Sequence, residues 1–132
     1  MAKENGLGWT TFSVDNSAGS LKALVNDITN ASWAMPRAVQ DVTGLDKSAI
    51  ERLHLLADFS CDMEGVFNDD TDHAHDVFKS LANTRTVTIV VSGQTLTNET
   101  LLTDYAITRS DSGELTWKVP AVLQSGTVPA WT

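Results

Sequence analysis

The densest group of potential ligands in this sequence is DDTDHAHD at positions 69–76. Imidazole nitrogens and carboxylate oxygens are ordinary metal donors, so His73, His75 and the neighbouring aspartates could in principle hold a divalent cation. Their spacing argues otherwise. On a helix, residues two apart point about 200° away from each other, so His73 and His75 cannot share one ion. His54 is the remaining histidine, and no second carboxylate–histidine group accompanies it. An acid-rich entry into a helix accounts for the same letters, with Thr71 or Asp72 as the N-cap and aspartates complementing the helix dipole.

Paired carboxylates could support general acid–base chemistry. Asp58, Asp62 and Glu64 share one face of an alternating stretch. On a strand, Asp58 and Asp62 lie about 13 Å apart, beyond the roughly 5–9.5 Å of a glycosidase pair. Asp62 and Glu64 fall at about 6.7 Å, but no pocket signal surrounds them. Cys61 could be a nucleophile, yet it stands in an apolar row between Phe59 and Met63, where a thiol is buried and inert. No phosphate-binding loop, dinucleotide fingerprint or nucleophile-elbow pattern occurs. Two Asn-x-Ser/Thr triplets, at Asn30 and Asn98, lack the secretory context that would use them. The sequence offers no chemistry on which an enzyme could rest, and no catalytic, cofactor or metal site is expected.

The elements that would position these residues are mostly strands. Phe12 and Val14 fall on one face of a first strand over residues 9–15, followed by the turn-forming DNSAG. Leu21, Ala23 and Val25 suggest a second strand. Residues 53–67 alternate without interruption: Leu53, Leu55, Ala57, Phe59, Cys61, Met63, Gly65 and Phe67 against a largely polar row. That period of two predicts one long strand, since a helix repeats at 3.6. Ala74, Val77, Phe78, Leu81 and Ala82 then follow helical spacing and predict about three turns. Strands are expected at residues 85–92, around Leu101–Thr103–Tyr105–Ile107, and over Leu115–Trp117–Val119–Ala121–Leu123, with SDSG as a hairpin turn. Pro120 cannot donate to a ladder and predicts an edge or a bulge there. Residues 31–50 show no sustained period, and so long an irregular stretch is often ordered by a partner.

Length and charge narrow the classes further. The chain has 132 residues, a formal net charge of −8 and 42% hydrophobic residues, which fits a single domain spanning 1–132 with a real core. One cysteine excludes an internal disulfide. MAKENGLG carries no apolar stretch, so no secretory signal is expected, and no run is long enough for a membrane helix. An acidic chain lacks the Lys and Arg excess that binds nucleic acid tightly.

The order of these motifs resembles the tail tube (major tail) proteins of long, non-contractile-tailed bacteriophages, especially those infecting actinobacteria. The resemblance is carried by GWTTFSVDNSAGSLKALVNDI, MPRAVQDVTGLDKSAIERL, the GVFND run leading into HDVFKSL, the hairpin DYAITRSDSGELTWKVP and the closing QSGTVPAWT, and it covers nearly the whole chain. It implies a mainly β (α+β) fold, a β-sandwich or barrel with one short flanking α-helix. It implies a structural virion protein with no cofactor, forming sixfold rings that stack into a tube through which DNA is ejected. Partners would be further copies of itself together with tail terminator, tape measure and tail-tip proteins. The protein would reside in the virion, and in the host cytoplasm during assembly. On that reading Asp58, Asp62 and Glu64 are candidate lumen-facing residues, and Trp33, Met35 and Val39 mark a candidate inter-subunit arm. A tail terminator, a head–tail connector or another virion β-sandwich module is the nearest alternative; a non-viral binding module is the next.

Overall fold

A computed structural model describes residues 3–132. In chain order the elements are β1 (Phe12–Asp15), β2 (Leu21–Ala23), β3 (Ile28–Ala34), β4 (Arg37–Asp41), β5 (Arg52–Ala57), β6 (Ser60–Val66), α1 (Ala74–Phe78), β7 (Arg85–Val91), β8 (Gln94–Leu102), β9 (Ala106–Arg109) and β10 (Leu115–Leu123). Eight strands form one antiparallel sheet in the order β2-β1-β7-β8-β10-β6-β3, with β9 beside β10, while β4 and β5 pair separately as a two-stranded ribbon. The large sheet curls on itself. Trp9, just ahead of β1, packs at 5.6 Å on Phe12 and at 5.6 Å on Trp33 of β3, bringing β1, second in the strand order, against β3 at its far end. Phe12, Val14, Phe59, Cys61, Met63, Val87, Ile89, Trp117, Val119 and Ala121 fill the inside, joined by Ala74, Val77 and Phe78 of α1.

The uninterrupted alternation of residues 53–67 conceals a break. β5 belongs to the ribbon and β6 to the large sheet, with Asp58 and Phe59 between them. The Asp58 carboxylate accepts its neighbour's amide, from Phe59, at 2.8 Å, and the Asp58 amide donates to the Pro36 carbonyl at 2.9 Å. Both halves are strands, so both alternate, and periodicity cannot register a change of sheet. Burial does register it: Leu53 and Leu55 are 56% and 44% exposed, whereas Cys61 and Met63 are buried. Residues 31–50 likewise hold real structure, the end of β3 and all of β4.

The helix is shorter than its apolar spacing predicts. Leu81 and Ala82 lie beyond it. Neither Thr71 nor Asp72 caps it; His73 is the N-cap residue, and the Ala74 amide is met at 3.1 Å by Asp27, buried between β2 and β3. The chain turns out of the helix because Arg85, fully buried, donates to the carbonyls of Val77, Ser80, Ala82 and Asp15. Among the described residues no carboxylate touches that guanidinium; the four carbonyls stand in for water, while burial lowers its pKa against the opposing pull of Asp15.

Two other expectations change. Leu101, Thr103, Tyr105 and Ile107 do not share one strand, because β8 ends at Leu102 and β9 begins at Ala106. The inward row of β8 is Leu96, Asn98, Thr100 and Leu102, and its two polar members hide the strand from a hydrophobicity pattern. Pro120 is not at an edge: β10 is central, flanked by β6 on one side and by β9 and then β8 on the other. The Pro120 carbonyl accepts from Thr103 at 3.2 Å, so its missing N–H also faces that side, at the gap where β8 has ended and β9 has not begun. The second strand stops at Ala23, and Leu24 just beyond it, rather than Leu21 or Val25, is the fully buried residue.

Cys61 lies where the sequence places it, buried beneath the sheet. Burial, with the Asp62 charge adding to it, pushes its pKa up to about 12. We therefore expect no reaction with a thiol reagent at neutral pH until denaturant is added, when one equivalent should react. Labelling of the native protein within minutes would contradict this placement.

Candidate functional site: a four-stranded wall with two free edges

Strands β9-β10-β6-β3 form a continuous antiparallel wall. Its inward residues belong to the core. Its outward residues fall in cross-strand rows set by the register. Asn30, Glu64, Lys118 and Ala106 make one row, and Ser32, Asp62 and Pro120 make the next. These two rows are therefore small, polar and lightly charged, while Val66 and Val122 on the same face are 52% and 38% exposed. Lys118 lies 3.5 Å from Glu64 and neutralises much of it, whereas Asp62 has only Ser32 and Pro120 across the strands. Of the three carboxylates expected to share a face, Asp62 and Glu64 do so. Asp58 does not; it sits at the junction of the ribbon and the wall.

Among the described residues, both margins of the wall lack a pairing strand. Which groups they present follows from hydrogen-bond parity, since a strand residue points its N–H and C=O to the same side. Phe67 donates to Leu115 and Leu123 donates to Phe59, so odd-numbered β10 residues face β6 and even-numbered ones face β9 and β8. Opposite them, Ala106 and Thr108 bond to β10, which turns the backbone groups of Ile107 and Arg109 outward. At the other margin Val66 donates to Asp27, so Asn30 and Ser32 bond to β6, and Ala31 and Trp33 present theirs outward.

The ribbon projects from this body. Val39, Leu53 and Leu56 on it are 52%, 56% and 88% exposed. Its turn is tied by Asp41, which accepts both the amide and the hydroxyl of Thr43, bonds that hold its carboxyl below the usual range. A groove of about 750 Å³ separates its base, at Leu55 and Leu56, from residues 126–128. The residues expected to form an arm divide: Val39 lies on the ribbon and Met35 in the link before it, but Trp33 packs into the body between Trp9 and Trp131.

The histidines do not converge. His73 lies 3.0 Å from Asp27, and His75 lies 3.1 Å from the Tyr105 hydroxyl. Among the described residues no three His, Cys, Asp or Glu side chains are grouped as a metal site would need. Asp27 is the polar residue that sequence reasoning missed. It is 3% exposed and binds Asn68, His73 and Ala74, tying the start of β3 to α1. An Asp beside Ile28 and two residues after Val25 was the available signal.

No protein-family model and no curated protein matches the chain. Solved structures do. A chain from the virion of a native gene transfer agent (GTA) particle superposes with a TM-score of 0.74 at 13% identity, covering 98% of this chain and 99% of that one. A chain from the tail of an empty GTA particle, solved by helical refinement with C6 symmetry, superposes with a TM-score of 0.71 at 17% identity, covering 98% and 99%. This chain shares their fold. The match spans both chains nearly end to end, so the similarity takes in the wall, the ribbon and the helix together. The mainly β architecture with one short helix agrees with the fold class expected from the sequence.

Proposed function

We propose that this protein is a non-enzymatic tail tube subunit of a phage-like particle, forming hexameric rings that stack into a tube through which DNA passes. The observation that carries the reading is the wall with two free edges in a chain whose fold matches a subunit of a C6-symmetric tail. Four strands alternate in direction from β9 to β3, so rotation about a ring axis sets β3 of one copy antiparallel to β9 of the next. Every joint then has the same sense, and neither edge of the wall remains exposed within the ring. Six such walls give about 24 strands; at ~4.8 Å per strand the barrel closes at roughly 37 Å across, and wider once the strands tilt. That leaves room for a DNA duplex.

In this arrangement the outward face of the wall lines the lumen, with Asp62 and Glu64 on it. Sixfold repetition of a chain of charge −8 repels a polyanion and keeps it sliding. The ribbon, with Met35 and Val39, contacts neighbouring subunits. Tail terminator, tape measure and tail-tip proteins are the expected further partners; the tube forms in the host cytoplasm and resides in the virion.

Purified protein should form long tubes in negative stain, with no measurable affinity for double-stranded DNA at moderate salt. A single closed ring would instead favour a terminator or connector. Asp62→Lys combined with Glu64→Lys should leave tubes intact, create salt-sensitive DNA binding and impair ejection. Normal infectivity of that variant, or tight DNA binding by the unaltered tube, would remove these residues from the lumen.

A further inference from the structure

β10 reaches β8 only at Thr100, Leu101 and Leu102. Before that point the same side of β8 is covered by residues 124–132, which are pinned at two places. The Gln124 amide donates to Glu99 at 3.0 Å, and Thr132 exchanges two backbone hydrogen bonds with Thr95, each 2.9 Å. Between the pins β8 advances from 99 to 95, while the covering segment advances from 124 to 132. At ~3.4 Å per residue the pins are about 14 Å apart, but the segment can span about 27 Å.

The excess length bulges away from the sheet. Gly126 takes a φ of 73° and Val128 is 53% exposed. A hollow of about 340 Å³ remains between the bulge and β8, lined by Thr97, Asn98 and Val128 among others. Thr97 points its N–H and C=O the same way as Thr95 and Glu99, yet neither has a backbone partner among the described residues. Asn98 is 6% exposed and its side-chain nitrogen donates to nothing. On its other side the bulge faces the groove beneath the ribbon. The segment is thus slack, flanked by hollows, and held mainly by Thr132 and by Trp131, whose ring lies 6.5 Å from Trp33.

We propose that residues 124–132 form an exchangeable strap, and that in the assembled particle the β8 edge of one subunit receives the strap of a second copy. The inference rests on the assembly reading above. The occupant follows from the chemistry of the edge: the segment that fits it is this chain's own, with the Thr95–Thr132 bonds and the Trp131–Trp33 contact. A second copy brings the same groups. Exchange therefore preserves every contact and loses only chain connectivity, which the high local concentration inside an assembly offsets. The slack supplies the reach.

The test mixes two single variants, Thr95→Cys and Thr132→Cys, so that a disulfide between those positions must cross between subunits. Antiparallel hydrogen-bonded partners lie about 5.5 Å apart at Cα, within disulfide range. The native Cys61 is buried and does not compete. Co-assembled tubes, oxidised and mapped by peptide mass spectrometry, should yield positions 95 and 132 joined in a large fraction of chains. The same mixture kept dilute and unassembled should yield none. Intact tubes without that cross-link overturn the strap and leave the assembly reading standing. If no tubes form, the assembly reading fails separately. The mixture oxidised at millimolar concentration then decides exchange: a 95–132 dimer supports it, and monomer alone rejects it. Should either cysteine variant fail to fold, Thr95→Lys and Thr132→Glu, mixed and joined by a carbodiimide, repeat the measurement at the same two facing positions.

Discussion

Gly65→Ala is expected to destabilise the protein by about 4 kcal/mol or more, a large share of the stability of a domain this size. A Cβ at this position would lie 2.0 Å from the Asp27 carbonyl oxygen and 2.7 Å from the Trp117 ring. Neither obstacle can yield. The Asp27 carbonyl already accepts the Val66 amide at 3.0 Å, and the Trp117 indole is fixed by donating to the Val66 carbonyl at 2.9 Å. The Asp27 side chain is itself held by Asn68, His73 and Ala74. One methyl group therefore pushes against β3, β10 and α1 at once. Gly6→Ala is the matched control, since nothing lies within 4 Å of its added carbon. Urea unfolding of both variants checks the expectation. A Gly65→Ala midpoint close to that of the control would mean that β3 does not approach β6 as described.

Ile107→Pro should abolish tube formation at concentrations where the unaltered protein polymerises completely, while leaving the subunit folded. The N–H at 107 points to the free margin of β9, so its loss removes a donor that nothing in the subunit uses. At the proposed joint the same loss breaks a hydrogen bond to β3 of the neighbour and places a ring in its path, repeated at every interface of every ring. Thr108→Pro is the contrasting variant. Its N–H faces β10 within the subunit, so that substitution should lower stability as well as assembly. Circular dichroism and thermal unfolding report the first effect, and sedimentation the second. Tubes formed by Ile107→Pro at the unaltered protein's concentration would place the joint elsewhere.

How far these features could be read from sequence depends on what periodicity encodes. It encodes which residues are strand and which row is apolar, so Phe12, Val14, Val87, Ile89, Trp117 and Val119 are legible as core. It does not encode which sheet a strand joins. The run through Asp58 reads as one strand because both of its halves alternate, and Asp58 was therefore grouped with carboxylates that it does not accompany. β8 was missed for the opposite reason: Asn98 and Thr100 face inward, with Thr100 donating to the Arg85 carbonyl, and a buried polar row looks like a loop. The helix was overextended because apolar spacing cannot show that a distant Arg85 gathers the carbonyls at its end. Long-range partners such as Asp27 with His73 leave no local trace. The wall was half legible: Asp62 and Glu64 sit together on its outer face as expected, but its free edges are properties of topology, visible only once β3 and β9 are placed.

The most direct measurement of the central claim is a helical reconstruction of tubes grown from the purified protein. Six subunits per ring are expected, with a continuous antiparallel inner barrel in which β3 of one subunit pairs with β9 of the next, and with Asp62 facing the lumen. Protein that stays monomeric at high concentration, or a tube whose β9-β10-β6-β3 face lies on the outside, would contradict it.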